Sequence, residues 1–320
     1  MSYSALIIGC GNIGAMYDLN RPEKIWTHAK AFAIAKDILF SVADVDIQQA
    51  KKIATKYKTT AVALTDKTDF SEFDIVSITS PTASHFGWLK KMLQQNVPLI
   101  ICEKPVAANQ MELNELARLY QKSNSKVLVN YIRRFQPAYE KLRLQLVKQK
   151  ATKTCKGINI KYQRGFLNNG GHAFDLLEFL LGKPFMFEKF VTTNVVYDVF
   201  TDDPTLTGSC CFLGIPVGFL GIVDAGYPVF EIELFFADGK IVICHSGDEI
   251  RYYKVDKQKM ILQENMKSRQ LNILTKYMLP VKDKGMQLLK HKNEKDNFLQ
   301  AVELNKRMVR IIARTNKTNR

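Results

Sequence analysis

Five short apolar runs alternate with helical patterns over the first 130 residues, and no other feature of the chain constrains its fold as strongly. The runs are SALIIG, LFSVADVD, FDIVSITSP, VPLIICEKP and SKVLVNYI. Their apolar residues are nearly continuous, the pattern of strands buried on both faces of a parallel sheet. Between them, HAKAFAIAKD, DIQQAKKIATKY, HFGWLKKMLQQN and NQMELNELARLYQKS carry apolar residues at helical intervals. Parallel neighbours need a crossover, so repeated strand and helix predict a doubly wound α/β sheet over residues 1–130.

Past Tyr131 the pattern changes. AYEKLRLQLVKQK predicts a helix, CKGINIKYQRG a strand, and GGHAFDLLEFLLG a helix stopped at Gly182. Several strands follow, and Asp238-Gly239 between two alternating runs predicts a hairpin. Residues 131–320 therefore read as an α+β domain with a mostly antiparallel, open sheet. The late helix, residues 293–315, carries Phe298, Val302, Met308, Val309 and Ile312 on one face and is expected to pack back on the N-terminal domain.

Pro204 to Val223 is uncharged and about as long as a membrane span. Pro216 and several glycines interrupt it, so two strands joined by a turn fit better than a spanning helix. The N-terminus lacks the basic region of a signal peptide. Six cysteines show no CxxC pair and no metal-ligand spacing, which predicts a reduced, cytoplasmic protein without a metal site. The net charge is +15, and residues 251–320 hold 18 Lys/Arg against 6 Asp/Glu. No basic-aromatic repeat accompanies that charge, so it reads as a solvated face rather than a nucleic-acid surface.

GCGNIG follows the first apolar run as Gly9-x-Gly11-x-x-Gly14. Such a loop turns tightly at the first glycine, admits a pyrophosphate at the second and packs helix on sheet at the third. The second run ends in Asp44, placed to accept hydrogen bonds from an adenosine ribose, so NAD(H) is expected rather than NADP(H). Asp46 suits the helix N-cap better than Asp44 does. AMYDLNRPEKIWT interrupts the helix after the glycine loop and predicts a loop near the cofactor, where Tyr17, Arg21 and Trp26 are candidates for substrate contact.

CEKP closes the fourth run. Ligands bind beyond the carboxyl ends of strands in open α/β sheets, so Glu103 and Lys104 fall where a nicotinamide would meet its substrate. An ammonium there stabilises a developing alkoxide. His172 stands at the predicted entrance of the helix after Gly170-Gly171. A neutral imidazole titrates near about 6.5 and suits a general base, and a helix N-terminus disfavours its protonated form.

Taken in order, GCGNIG, Asp44, SPTASH (Ser80–His85), CEKP, RRFQPAY (Arg133–Tyr139) and GGHAFDLLEFLLG resemble the Gfo/Idh/MocA oxidoreductases along essentially the whole chain. The resemblance implies a Rossmann domain followed by an α/β domain that often forms oligomers, here a homo-oligomer. It implies NAD(H)-dependent oxidation or reduction of a sugar or nucleotide sugar, with surface-polysaccharide sugar modification as the subgroup that Asn169-Gly-x-His172 resembles. It implies Lys104 and His172 as the catalytic pair. Cofactor contacts are implied at Gly9, Gly11, Asn12, Ile13, Gly14, Asp44, Ser80, Pro81, His85, Glu103 and Lys104, and substrate contacts at Tyr17, Arg133 and Arg134. Many members carry an aspartate four residues before the histidine, where this chain has Asn168. An amide cannot move a proton, so Asn168 and Asn169 are expected to bind hydroxyls and Asp175 to orient the imidazole. An inositol or polyol dehydrogenase, and a dinucleotide-binding sensor or assembly subunit without turnover, stay open as alternatives.

Overall fold

The computed structural model describes residues 2–65, 67–256 and 258–318. They form two compact units. The first comprises residues up to Phe135 together with Thr275–Asn305, and the second comprises Gln136–Leu274 and the chain from Lys306.

In the first unit, β1 (Tyr3–Ile8), β2 (Ile38–Ala43), β3 (Thr60–Ala61), β4 (Ile75–Ile78), β5 (Leu99–Cys102) and β6 (Lys126–Val129) form one parallel sheet in the order β3-β2-β1-β4-β5-β6. Every residue of β4 and β5 is buried, as the continuous apolar runs require. Each such Val, Leu or Ile contributes about 1.5–3 kcal/mol on leaving water. The crossovers are α1 (His28–Ala33), α2 (Ile47–Tyr57), α3 (Thr82–Gln94) and α4 (Gln110–Lys122). Asp46 caps α2 by accepting from the Gln48 N–H at 2.9 Å, and Asn109 caps α4 through the Glu112 N–H at 2.9 Å.

The helix after the glycine loop is split. One turn, Asn12–Met16, is followed by a loop to Thr27, where α1 begins. Buried Asp18 closes that loop, accepting from the Trp26 N–H at 2.5 Å, the Thr27 N–H at 3.0 Å and the Thr27 hydroxyl at 2.8 Å. The carboxylate thus supplies acceptors for three donors at the break in the helix, where leaving them unmet in a buried place would be costly.

The edge strand β6 is blunted by side chains. The Val127 N–H donates to Asp296 Oδ2 at 2.9 Å, and Asn297 pairs with both the N–H and the carbonyl of Val129, each at 2.9 Å. This satisfies backbone groups that an open edge would present to another chain.

In the second unit, β7 (Gly157–Tyr162), β8 (Glu188–Val196), β9 (Thr205–Phe212), β10 (Ile215–Gly221), β11 (Phe230–Phe236), β12 (Gly239–Cys244), β13 (Glu249–Asp256) and β14 (Ile261–Glu264) form a sheet ordered β14-β13-β12-β11-β7-β10-β9-β8. All pairings are antiparallel except β7 with β10. The helices α5 (Pro137–Lys148), α6 (Ala151–Thr154) and α7 (Gly171–Leu181) belong to this unit. Phe166, Phe174, Phe185, Phe187 and Phe219 make the aromatic centre of its core, with Phe185 stacked 4.4 Å from Phe212. Residues on the other face of β7 and β11 are only partly covered.

The uncharged stretch from Pro204 folds as the β9–β10 hairpin. Leu213 and Gly214 turn it with φ of 54° and 78°, the doubly positive geometry that suits a two-residue hairpin. No described helix is long and apolar enough to cross a membrane. The hairpin expected at Asp238-Gly239 forms between β11 and β12, but its turn residues are Ala237 and Asp238. Gly239 opens β12, where a Cβ would lie 2.0 Å from the Tyr253 carbonyl oxygen. Helix α8 (Met278–Lys290) has no counterpart among the sequence expectations. Lysines and Pro280 obscure its apolar face, yet it packs on β5 of the first unit, with Gly285 against Leu99 and Ile101. The last helix, α9 (Phe298–Thr318), contributes residues to Asn305 to the first unit and from Lys306 to the second.

Candidate cofactor site and active-site residues

The strand order reverses between β1 and β4, which opens a crevice at their carboxyl ends. The glycine loop lies there. Gly9 has φ +102°, and a Cβ on it would sit 2.7 Å from the Ser80 nitrogen. A Cβ on Gly14 would sit 2.1 Å from the Gly9 oxygen. Thr79, at the end of β4, ties the two strands together by donating its hydroxyl to the carbonyls of Ile8 and Gly9. Gly11 differs from both: a Cβ there meets nothing within 4 Å. The first and third glycines are thus required by the protein itself, whereas the second keeps open the approach that a pyrophosphate needs. Asn12 is exposed and Ile13 half-buried on the turn that follows.

Asp44 ends β2 beside this loop. Its Oδ2 accepts from the Cys10 N–H at 2.6 Å and its Oδ1 from the Asp46 N–H at 3.0 Å. The carboxylate is therefore held in place and remains half-exposed. Burial, with the Asp44 charge adding to it, pushes the Cys10 thiol up to about 12, so Cys10 is an inert packing residue at neutral pH.

Glu103 and Lys104 follow β5. Glu103 is buried, and its Oε1 lies 3.0 Å from His28 Nε2 and 2.5 Å from Asn130 Nδ2. Burial opposes ionisation of Glu103, but the His28 and Asn130 hydrogen bonds and the Lys104 ammonium outweigh it and hold the carboxyl below the ordinary glutamate range. Lys104 is half-buried next to this fixed negative charge. His85 reaches the Lys104-Pro105 turn from α3, its Nδ1 2.8 Å from the Pro105 oxygen and its Nε2 2.9 Å from the Ser80 oxygen. Burial pulls the His85 pKa down, against the two carbonyls and Glu103. In this position His85 braces the ends of β4 and β5. Ser80 is half-buried, its hydroxyl 2.6 Å from that of Ser84, and Pro81 precedes α3.

Tyr17 is exposed on the loop, and Trp26 stacks 6.4 Å from Tyr277 with the Arg21 guanidinium 5.2 Å from its ring. Arg133 and Arg134 are both buried in the turn Ile132–Phe135, and Arg134 Nη1 lies 3.4 Å from Gln300 Oε1.

In the second unit, His172 is half-buried near the start of α7. The helical backbone begins earlier than the sequence indicates, however. Gly165–Gly170 forms a π-helical turn that runs into α7. Asp203 caps that turn from a distant loop, its Oδ1 accepting from the Leu167 N–H at 2.7 Å and its Oδ2 from the Asn168 N–H at 2.8 Å. The expected helix-entrance effect on His172 is corrected accordingly: the free N–H groups lie a turn upstream and a carboxylate already meets them. Asn168 and Asn169 are half-buried in the π-helical turn, and Asp175 is buried on α7 three residues after His172, on the same face.

Sequence reasoning missed His28, Thr79, Asn130 and Asp203. His28 carried the only readable signal, a histidine directly after the Thr27 cap. Among the described residues Cys244, His245 and Glu249 also gather ligand-type atoms within 4.8 Å. Arg251 and Arg269 already bind Glu249 there, which makes the group an ion-pair cluster.

Residues 3–131 match the model of the GFO_IDH_MocA oxidoreductase family, described as an NAD-binding Rossmann fold. This match ties the N-terminal Rossmann region, well under half of the chain, to that family. The Gfo/Idh/MocA match covers the parallel sheet, the glycine loop, Asp44 and Lys104, and a dinucleotide suits the open approach at Gly11. The chain is also similar to a UDP-N-acetylglucosamine 3-dehydrogenase of Acidithiobacillus ferrooxidans, 28% identical over 137 residues. That match covers 43% of this chain and 39% of the relative, so it spans well under half of the relative's length. Solved structures share the fold. A Clostridium difficile dehydrogenase superposes with a TM-score of 0.75 at 13% identity, covering 98% of this chain and 100% of that one. A 3-ketoreductase from Actinomadura kijaniata solved with NADP gives 0.74 at 12% identity, covering 98% and 97%.

Proposed function

We propose that the chain is an NAD(H)-dependent oxidoreductase that interconverts a hydroxyl and a keto group on a sugar or nucleotide sugar. The observation that carries this reading is Lys104 at the carboxyl end of β5, beside a buried, ionised Glu103 and in the same sheet as a glycine loop left open at Gly11. When bound, the nicotinamide supplies the hydride acceptor or donor. Lys104 holds the reacting oxygen and stabilises the alkoxide character that develops on it. His172 takes the hydroxyl proton on an imidazole nitrogen, or returns it in the reverse direction. Asn168 and Asn169 hydrogen-bond neighbouring hydroxyls, and Asp175 orients the imidazole. Asp44 accepts hydrogen bonds from the adenosine ribose and repels a 2′-phosphate. Arg133 and Tyr17 contact the substrate.

Nucleotide sugars are favoured within the class, because a relative of the N-terminal region is a UDP-N-acetylglucosamine 3-dehydrogenase. A role in supplying sugars for surface polysaccharide follows if such a substrate is used. The partly covered face of the second sheet is the surface on which we place a second copy of the chain, to be checked by light scattering on the eluting protein.

The test is NADH formation against nucleotide sugars, free sugars and inositols, with Lys104→Met and His172→Ala alongside the parent. Turnover on at least one sugar is expected, with each variant about 100-fold or more slower at unchanged NADH affinity. Tight NADH binding with no turnover on the whole panel, or variants within a few-fold of the parent, would overturn the reading.

A further inference from the structure

A cavity of about 700 Å³ lies within the second unit, between the edge strand β8 and the last turns of α9. Arg307, Arg310 and Arg314 line it, and their spacing puts all three on one face of the helix. Arg307 is the deepest of them. Its Nη2 lies 2.6 Å from Glu178 Oε1, and that same oxygen accepts the Phe185 N–H at 2.7 Å. Glu178 therefore orients Arg307, and Arg310 and Arg314 follow one and two turns on with exposed side chains. No acidic residue stands among the described lining residues. Across from the arginines, Phe187 and Phe190 give the cavity an apolar wall, and Thr315 adds a hydroxyl.

We propose that this cavity binds a small organic diphosphate whose phosphates meet Arg310 and Arg314 and whose ring lies against Phe187 and Phe190. The volume suits a small molecule, since ligand pockets span about 300–1,000 Å³. Arg310 and Arg314 are separated by about 6 Å along the helix axis, a span that two linked phosphates bridge better than one. Guanidinium groups bind phosphate oxygens in pairs, which gives the site direction as well as charge. An aromatic wall beside the charged row selects a phosphate ester with a ring over inorganic anions. None of the residues assigned to hydride transfer lines the cavity. The inference therefore stands whether or not the proposed reaction occurs.

Calorimetric titration of the full chain with inorganic pyrophosphate and with UDP, at saturating NADH to fill the glycine-loop site, tests it. The variants are Arg310→Ala/Arg314→Ala and Phe190→Ala, each checked by thermal melting. Expected is, for each probe, a site that the double arginine variant weakens at least tenfold, with UDP held more tightly there than pyrophosphate; any UDP binding at the substrate site is left unchanged by that variant. Phe190→Ala is expected to weaken UDP several-fold and leave pyrophosphate unchanged. Heats equal to a salt-matched blank, or binding of which the double variant weakens no part, would overturn the proposal.

Discussion

The Nε2 of His28 lies 3.0 Å from Oε1 of Glu103, across 75 residues of chain, with His28 fully buried and Glu103 nearly so. The pair turns an unfavourable buried carboxyl into a stable carboxylate next to Lys104. Its pH dependence has a definite sign. The folded-state pKa of Glu103 is depressed, so its contribution to stability is complete above the unfolded glutamate value of roughly 4.3 and is lost as pH falls through the lower folded value. Glu103→Gln should be less stable than the parent at pH 7 and should lose less stability between pH 7 and pH 3. Urea midpoints at several pH values read this, and parallel curves for the two proteins would refute it. His28→Ala should raise the pH at which the parent's stability falls away.

Two glycines three residues apart should respond in opposite ways. Ala at Gly14 puts a methyl 2.1 Å from the Gly9 carbonyl oxygen, a backbone atom that cannot swing aside. A loss of at least about 1–3 kcal/mol is expected. Ala at Gly11 meets nothing within 4 Å and should leave the melting temperature nearly unchanged. It should instead weaken NADH binding tenfold or more, because its methyl occupies the pyrophosphate approach. Melting curves and NADH fluorescence titrations separate the two effects.

Asp44 is both an anchor and a selector. Asp44→Ser removes the charge that repels a 2′-phosphate, and the ratio of kcat/KM for NADH over NADPH should fall about tenfold or more. Since Asp44 also accepts the Cys10 and Asp46 N–H groups, NADH affinity itself should drop. A variant with weaker NADH binding but the parental cofactor ratio would show that Asp44 only anchors the loop.

Asp203 holds the turn that carries Asn168 through the N–H groups of Leu167 and Asn168. Asp203→Ala should cost about 1–3 kcal/mol, the range for a lost helix cap and for unmet buried donors. Turnover should fall further than the stability loss alone explains, because the turn leads directly into His172. Urea unfolding paired with kcat measured well below the midpoint checks both.

Much of the molecule is readable from local pattern. Continuous apolar runs separated by helical periods are enough for β1, β2, β4, β5 and β6 and their crossovers, because a helix-covered parallel sheet buries both faces of its inner strands, whereas the two-residue edge strand β3 is not buried and has no such run. The glycine loop, Asp44 and the Asp46 cap are equally local, since each depends on backbone geometry within a few residues. The same holds for the Gly182 stop, where φ is +66° and the N–H meets the Glu178 carbonyl. Pattern was less informative where lysines and a proline lie over a buried stripe, as in α8.

What only the tertiary structure decided are the side-chain pairings between distant segments. His28 with Glu103, Asn297 with Val129 and Asp203 with Leu167 join residues separated by 75, 168 and 36 positions. None of these partners has a local signature, because a buried polar group records only that it needs a partner and not where in the chain that partner lies. The sequence by itself determined the sheet, the glycine loop and the residues offered for chemistry. Long-range burial determined which of them are ionised, which are held in place, and where the helix beneath His172 begins.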